Sequence, residues 1–159
     1  MQKTKVKQIM KKEVITANSE DLIKDVIKKL AENNISGLPV VDKDNTILGM
    51  ISEKDILTTL SSKSRTLSMV FPSSHALGMT FQESINFQEF QEAMKEVKNF
   101  KVEKIMKKPV ISIDENMTVA EAAGIMIRNN INRIPVVKDG KLIGIVTRGD
   151  IISGLSKLK

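Results

Sequence analysis

Residues 6–41 read VKQIMKKEVITANSEDLIKDVIKKLAENNISGLPVV, and residues 102–137 read VEKIMKKPVISIDENMTVAEAAGIMIRNNINRIPVV. The two stretches align without a gap at a constant offset of 96 residues, and both end on Pro-Val-Val. Beyond that point the offset falls to 95, because one turn of the second copy is a residue shorter. Self-similarity of this length indicates two copies of one supersecondary unit, which pack together because each covers an apolar face of the other.

Local patterns within each copy predict the order strand, helix, strand, strand, helix. β-Branched runs at residues 14–16 and 110–112 predict the first strand. Apolar residues at helical spacing then predict an amphipathic helix that ends at an Asn-Asn pair, since asparagine tolerates the left-handed conformation of a helix end. Two strands joined by a tight turn and a last helix complete the unit. The predicted fold class is α/β of the α+β type, with pseudo-symmetric repeats at residues 6–60 and 102–155.

Residues 61–101 form an insert that belongs to neither copy and holds all five phenylalanines of the chain. Four apolar side chains recur at helical spacing across residues 84–98 and predict an amphipathic helix there: Phe87, Phe90, Met94 and Val97. Two interpretations remain open. The insert packs its phenylalanines onto the repeats as extra core, or it presents them as a surface that binds a partner or modifies a dimer.

The composition excludes several classes of function. The chain has no cysteine and one histidine, His75, so it offers no disulfide framework, no thiolate chemistry, no zinc constellation and no Ser-His or Cys-His pair. No catalytic role and no metal are expected. No apolar stretch is long enough to span a bilayer and no secretory signal precedes the repeats, so a cytoplasmic protein without membrane contact is expected. The net charge of +6 favours anionic partners, among them nucleotides, nucleic acid and acidic membranes.

Each copy carries a Gly-x-x-Ser/Thr-x-x-Asp motif where its last strand meets its last helix, GMISEKD at residues 49–55 and GIVTRGD at residues 144–150. A hydroxyl three residues before a carboxylate is the signature of a helix N-cap, which explains the motif without any ligand. The same helix terminus attracts phosphate, and an Asp carboxylate accepts hydrogen bonds from the two vicinal hydroxyls of a ribose. The motif therefore fits both a cap and a nucleoside phosphate site.

The two copies differ in the cations near these motifs. The second copy has Arg148 inside the motif and Arg133 two residues before Pro135, whereas the first copy has glutamate and glycine at the equivalent positions and only Lys54 nearby. Arginine binds phosphate with two parallel hydrogen bonds, and lysine acts only as a point donor. The sequence predicts that Arg133 lies beside Asp150 and that this cleft is the tighter site for a phosphate.

These units resemble the CBS domain family, in the tandem arrangement called a Bateman module. The Ile-Met start, the apolar-Pro-Val-Val strand and the Gly-x-x-Ser/Thr-x-x-Asp end carry the resemblance, which covers both repeats and leaves the insert without a counterpart. The resemblance implies a compact pair with two clefts for an adenosyl ligand such as AMP, ADP, ATP, S-adenosylmethionine or NAD. It also implies no cofactor, a homodimer paired through the last helices, and a stand-alone energy sensor that regulates an unidentified protein.

The resemblance also implies roles for individual residues. The ribose would be bound by Asp55 and Asp150, and its phosphate end would lie near Ser52 and Thr147, with Lys54, Arg133 and Arg148 as cations. The base pocket would be lined by Thr16, Leu38, Pro39, Ser112, Ile134 and Pro135. The alternative function is that of a basic module associated with nucleic acid. The repeats contain no aromatic residue on which a base could stack, and their charge is not confined to one copy.

Overall fold

A computed structural model describes the backbone of residues 4–70 and 80–156 and the side chains of residues 4–64 and 86–156. The first repeat contains β1 (Ala17–Asn18), α1 (Ile23–Asn33), β2 (Gly37–Val41), β3 (Ile47–Ser52) and α2 (Glu53–Lys63). The insert contributes β4 (Arg65–Val70), β5 (Thr80–Ile85) and α3 (Phe87–Val97). The second repeat contains β6 (Ile113–Asp114), α4 (Val119–Arg128), β7 (Arg133–Lys138), β8 (Lys141–Thr147) and α5 (Arg148–Leu155).

Each repeat folds around its own three-stranded sheet, in the order β1-β2-β3 or β6-β7-β8. The first strand pairs parallel to the second, and the second pairs antiparallel to the third. The register shifts at the same place in both antiparallel pairs, between Val40 and Val41 and between Val136 and Val137. The repeated α/β architecture predicted from the sequence is therefore confirmed, and β4 and β5 form a separate antiparallel hairpin in the insert.

The predicted position of the first strand is wrong in both repeats. The residues that pair with the second strand are Ala17–Asn18 and Ile113–Asp114, one step beyond the β-branched runs at residues 14–16 and 110–112. β-Branched residues favour extended backbone, but their identity does not reveal whether a neighbouring strand lies beside them. In the second repeat, Val110 and Ile111 of this run line a cavity instead of joining the sheet.

The predicted turns and helix ends are confirmed. Asn34 and Asn130 follow the first helix of each repeat, and both adopt left-handed backbone with φ of 51°. Asp139 and Gly140 have φ of 50° and 76°, as a two-residue hairpin turn with two positive φ angles requires. Asn45, with φ of 62°, occupies the corresponding turn of the first repeat.

The leading turn of each repeat packs into the core of the other repeat. Val6 is completely buried in the core of the second repeat, and its N–H donates to the carbonyl of Met117 at 2.8 Å. Val102 is completely buried in the core of the first repeat, and its N–H donates to the carbonyl of Asp21 at 2.8 Å. The repeats are therefore interlocked, because neither core is complete without a segment of the other copy.

Helix α3 of the insert packs on α2 and extends the first core. Ala93 and Val97 are buried in that core, and Phe90 and Phe100 pack against it. Phe87 does not join the apolar stripe as predicted, since it is 73% exposed at the first position of the helix, directly after the N-cap Asn86. The described part of the insert acts as extra core, whereas Phe71 and the side chain of Phe81 lie outside the described residues.

Candidate functional site

Both Ser/Thr-x-x-Asp motifs are reciprocal helix caps. The N–H of Ser52 donates to Oδ2 of Asp55 at 2.9 Å, and the N–H of Asp55 donates to the Ser52 hydroxyl at 3.4 Å. Thr147 and Asp150 make the same pair of bonds at 2.8 and 3.2 Å. The predicted caps are confirmed, and they fix one carboxylate oxygen of each aspartate at the start of its helix.

A cavity of about 390 Å³ lies at the N-terminus of α2, between the two repeats. The first repeat contributes Ser36, Met50, Ile51, Ser52, Glu53, Lys54 and Asp55. The second repeat contributes Lys107, Pro109, Val110, Ile111, Asn130, Ile131, Asn132, Arg133 and Pro135. This volume falls within the range of about 300–1,000 Å³ that is usual for small-molecule sites.

The lining of this cavity combines apolar and charged side chains. The apolar residues are Met50, Ile51, Pro109, Val110, Ile111, Ile131 and Pro135, and the charged residues are Glu53, Lys54, Asp55, Lys107 and Arg133. Apolar walls with a few placed polar groups are typical of small-molecule sites, where the polar groups fix the orientation of the ligand. The cavity therefore suits an amphipathic ligand.

The two motif aspartates differ in what their second carboxylate oxygen contacts. Oδ2 of each aspartate is used in its cap, where it accepts from both the N–H and the hydroxyl of Ser52 or Thr147. Oδ1 of Asp150 lies 3.7 Å from Nζ of Lys11. Oδ1 of Asp55 makes no such contact with any residue whose side chain the structure describes. Asp55 therefore retains an acceptor for a ligand.

The guanidinium of Arg133 lies in the cavity with Asp55 and not in the predicted cleft beside Asp150. The backbone of Arg133 pairs with Thr147 in the second sheet, as expected from the sequence. Its guanidinium, however, crosses to the first repeat, where Nη1 donates to the carbonyl of Gly37 and Nη2 donates to the hydroxyl of Ser36. The prediction that it lies beside Asp150 is therefore wrong, because a side chain this long leaves its own sheet.

Arg133 is half-buried, and no carboxylate among the described side chains is in ion-pair contact with it. Burial lowers the pKa of its guanidinium, and the charge of Glu53 acts in the opposite direction. A desolvated cation without a contacting counter-ion is energetically unfavourable, and an anionic ligand in the cavity would relieve that cost.

Only some of the predicted site residues line the cavity. Ser52, Lys54, Asp55, Arg133 and Pro135 line the cavity. Leu38 and Ile134 are completely buried in the two cores. Successive side chains of a strand point to opposite faces, so Pro39 and Pro135 lie on the other face of each strand. The remaining predicted residues are not among those that line this cavity: Thr16, Pro39, Ser112, Thr147, Arg148 and Asp150.

One wall of the cavity, formed by the residues just before β6 in the second repeat, was not predicted from the sequence. Lys107 is held against β3, since its N–H donates to the carbonyl of Met50 at 2.7 Å and its carbonyl accepts from Met50 at 3.1 Å. Lys11 makes the equivalent pair with Ile145 at 2.9 Å. The Ile-Met-Lys-Lys sequence shared by both copies was the available signal, but only the crossing of the leading segments brings it to the site.

Neither a metal-binding cluster nor a membrane-spanning helix is found in the described part of the chain. No group of three or more His, Cys, Asp and Glu residues there has the arrangement that a metal ion needs. None of the described helices has the length and apolar character to cross a bilayer.

Comparison with known proteins agrees with this geometry. A family model described as CBS domain matches residues 6–62 and 102–157. An uncharacterized protein of Methanocaldococcus jannaschii is 41% identical over 94% of this chain and 90% of its own length. A CBS domain-containing protein of Dictyostelium discoideum is 31% identical over 98% of this chain and 94% of its own length.

Solved structures share the fold over nearly the whole chain. The CBS domain pair of protein MJ0100, in complex with 5′-methylthioadenosine and S-adenosyl-L-methionine, superposes with a TM-score of 0.68 at 28% identity and covers 99% of both chains. CBSX2 from Arabidopsis thaliana superposes with a TM-score of 0.74 at 23% identity, covering 98% of this chain and 96% of its own. The family match, the interlocked repeats and these superpositions show that the chain belongs to the CBS domain family and is a tandem pair of CBS domains.

Proposed function

We propose that this protein is a regulatory module that binds an adenosyl compound in the cavity at the start of α2 and transmits its occupancy to a partner protein. The observation that carries the proposal is the state of Asp55, whose carboxylate is held by the cap through one oxygen while the other remains available at the cavity. The complex of the 28% identical MJ0100 pair with two adenosyl compounds supports the same ligand class.

The proposed binding mode assigns one part of the ligand to each kind of wall. Oδ1 of Asp55 accepts hydrogen bonds from the ribose hydroxyls, as carboxylates do in other nucleotide sites. Ile111, Ile131 and Pro135 offer apolar surface to the adenine ring. A phosphate lies near Arg133 and the start of α2, where the helix terminus carries partial positive charge.

A second, equivalent site is proposed at the start of α5, with Thr147, Arg148 and Asp150 in the corresponding positions. There the lysine Lys11 contacts the carboxylate oxygen that a ribose needs. That ion pair is weak because the lysine is exposed, but it competes with a ribose hydroxyl for the same oxygen. We therefore propose that the cavity with Asp55 is the tighter of the two sites, which reverses the order expected from the sequence.

We also propose that the protein forms a homodimer through α4 and α5. The sequence predicts pairing through Ile56, Leu60, Ile151 and Leu155 of the last helices, but the first three of these side chains are buried within the chain. Ile127, Ile152 and Leu155 are exposed on α4 and α5, as Leu57 is on α2, whereas Leu60, the equivalent of Leu155, is buried in the core that α3 extends. A second copy of the chain is the proposed cover for these apolar side chains.

A thermal-shift screen against AMP, ADP, ATP, NAD and S-adenosylmethionine, with GTP as the control, tests the proposal. A ligand that binds only the folded state at 100 times its Kd stabilises that state by about 2.7 kcal/mol. At least one adenosyl compound should raise the melting temperature, and GTP should not. An equal response to GTP, or no response to any adenosyl compound, would contradict the proposal.

The net charge of +6 favours nucleic-acid binding as a second candidate function. A salt series with a single-stranded oligonucleotide separates the two candidates. Affinity for a nucleic acid falls steeply between about 50 and 200 mM salt, because each phosphate contact releases a counter-ion. Oligonucleotide binding with that steep salt dependence, together with no adenosyl response, would favour the second candidate.

A further inference from the structure

The hairpin of β4 and β5 has two edges that pair with no other strand in the described part of the chain. Its residue pairs run from Arg65–Ile85 to Val70–Thr80 without a register shift, whereas the antiparallel pairs of both repeats contain one. A regular edge without a bulge is a template for another strand, and a two-stranded hairpin alone is only marginally stable in water. The hairpin is therefore suited to accept a third strand.

The ladder determines which backbone groups of the hairpin point outward. The N–H of Asn86 donates to the carbonyl of Ser64 at 3.2 Å, and this pair continues the register of the hairpin by one step. Hydrogen-bonded and non-hydrogen-bonded pairs alternate along an antiparallel ladder. The pairs without mutual hydrogen bonds are therefore Arg65–Ile85, Leu67–Glu83 and Met69–Phe81. The backbone N–H and carbonyl groups of these residues point away from the ladder, towards the position of an added strand.

The two edges differ in how the sequence protects them. Natural sheets commonly protect an edge with charged residues or with proline. The outward positions of β5 have Glu83 at their centre, whereas those of β4 have Leu67 at their centre and a charge only at the first residue, Arg65. Neither strand contains a proline or a lysine. The edge of β4 is therefore the less protected of the two.

Strand β4 is also connected directly to the helix that starts at the cavity. Helix α2 begins with the cavity-lining Glu53 and ends at Lys63, and Ser64 alone joins it to β4. Ser64 is completely buried, and its hydroxyl donates to the carbonyl of Leu60 at 2.9 Å. A strand added to β4 would therefore lie at one end of the helix whose other end lines the cavity.

We propose that the edge of β4 is a docking surface, which binds an extended segment of the regulated partner protein as a third strand. In this mode of recognition the backbone hydrogen bonds supply affinity, and side chains at alternate positions supply specificity. The residues at the paired positions are Arg65, Leu67 and Met69, so cross-strand pairing favours a segment with apolar residues at alternate positions and an acidic residue at one end. The identity of the segment as part of the regulated partner rests on the proposed function, and the strand addition itself does not.

Selection from a display library of random peptides on the full chain, without any adenosyl compound, tests the proposal. The enriched peptides should have the alternating pattern and should bind the full chain in fluorescence anisotropy. Leu67→Pro should weaken their binding by about tenfold or more, because proline removes an outward N–H and its ring faces the added strand. Glu83→Pro is the matched control at the directly opposed position on the other edge, and it should change binding by less than about threefold.

Unchanged binding in Leu67→Pro, equal losses in both proline variants, or no peptide enriched above the empty support would overturn the proposal. None of these results bears on adenosyl binding, which the thermal-shift screen tests separately. Peptide binding by a chain that responds to no adenosyl compound would support the strand addition and contradict the proposed function.

N-methylation of the peptide gives a second test that leaves the protein unchanged, and it decides if hydrogen exchange shows that Leu67→Pro unfolds the hairpin. Only alternate N–H groups of an added strand face β4. Methylation of one alternating set should therefore abolish binding, and methylation of the other set should change it by less than about threefold. Equal effects of the two sets would show that the peptide is not bound as a strand and would overturn the proposal.

Discussion

The side chain of Met106 fills the space beside Gly49, where an added Cβ would lie 2.8 Å from the methionine sulfur. Met10 lies against Gly144 in the same way, with a corresponding distance of 2.7 Å. Each methionine belongs to the leading segment of one repeat, and each glycine belongs to the third strand of the other. The Ile-Met start and the motif glycine therefore recur together because they form one contact, made twice, that interlocks the repeats.

Replacement of these glycines should destabilise the protein. Gly49→Ala and Gly144→Ala should each lower the free energy of unfolding by about 1–3 kcal/mol, the usual effect of overpacking, because the added methyl also meets a backbone carbonyl at about 3 Å. Denaturant unfolding measures the change. Gly149→Ala is the control, since its Cβ would meet only the Thr147 hydroxyl, at 3.6 Å, and should cause no loss. Wild-type stability in Gly49→Ala would contradict this packing.

The helix caps should contribute to stability in both repeats. Ser52→Ala and Thr147→Ala should each lower the free energy of unfolding by about 0.5–2 kcal/mol, because each removes the hydroxyl that accepts from the N–H of the motif aspartate. Ser52→Thr, which keeps a capping hydroxyl, should retain most of the stability. Denaturant midpoints for the three variants provide the comparison, and unchanged midpoints in both alanine variants would show that the caps are dispensable.

The insert helix should contribute to stability and not to ligand binding. Val97→Ala should cost about 1–3 kcal/mol, because it removes buried methyl groups from the first core. Phe87→Ala is the control, since that side chain is 73% exposed and should change stability by less than about 0.5 kcal/mol. Neither variant should alter affinity for AMP, because α3 contributes no lining residue to the cavity. Loss of binding in a folded Val97→Ala protein would contradict that separation.

Features that depend on neighbours in sequence could be predicted, and features that depend on the other repeat could not. The helix caps, the left-handed asparagines and the Asp139-Gly140 turn are set by residues within one turn of each other, so their sequence patterns were sufficient. The crossing of the leading segments depends on packing across the pair. No pattern within a single repeat shows whether its leading turn packs into its own core or into the core of the other repeat.

The same distinction explains the outcome for the candidate site. Asp55 and Ser52 were identified because their motif is contiguous in sequence and positions both at one helix start. The direction of Arg133 was mispredicted because its backbone lies beside Thr147 while its long side chain reaches Gly37. The glycine at position 37 looked like the loss of a cation, and the structure shows that it makes room for the cation of the other repeat.

The proposed homodimer should be visible by light scattering. We expect a mass of twice 17.7 kDa for the wild-type chain. Ile152→Glu should shift the protein towards the monomer, because it places a charge among the exposed apolar side chains of α5, where Ile152 is 66% exposed. Phe87→Glu, at an exposed apolar position of the insert, is the matched control and should remain dimeric. A wild-type monomer at every protein concentration would contradict the proposed dimer.

The most direct test of the central claim compares AMP binding by Asp55→Asn and Asp150→Asn in calorimetric titrations. The two substitutions are chemically identical and affect equivalent caps, so their effects on folding should be similar and any difference reports on the ligand. We predict that Asp55→Asn weakens AMP binding by about tenfold or more, because a ribose hydroxyl loses a charged acceptor, and that Asp150→Asn changes it by less than about threefold. A larger loss in Asp150→Asn, or equal affinity in both variants and the wild-type chain, would show that the cavity with Asp55 is not the principal adenosyl site.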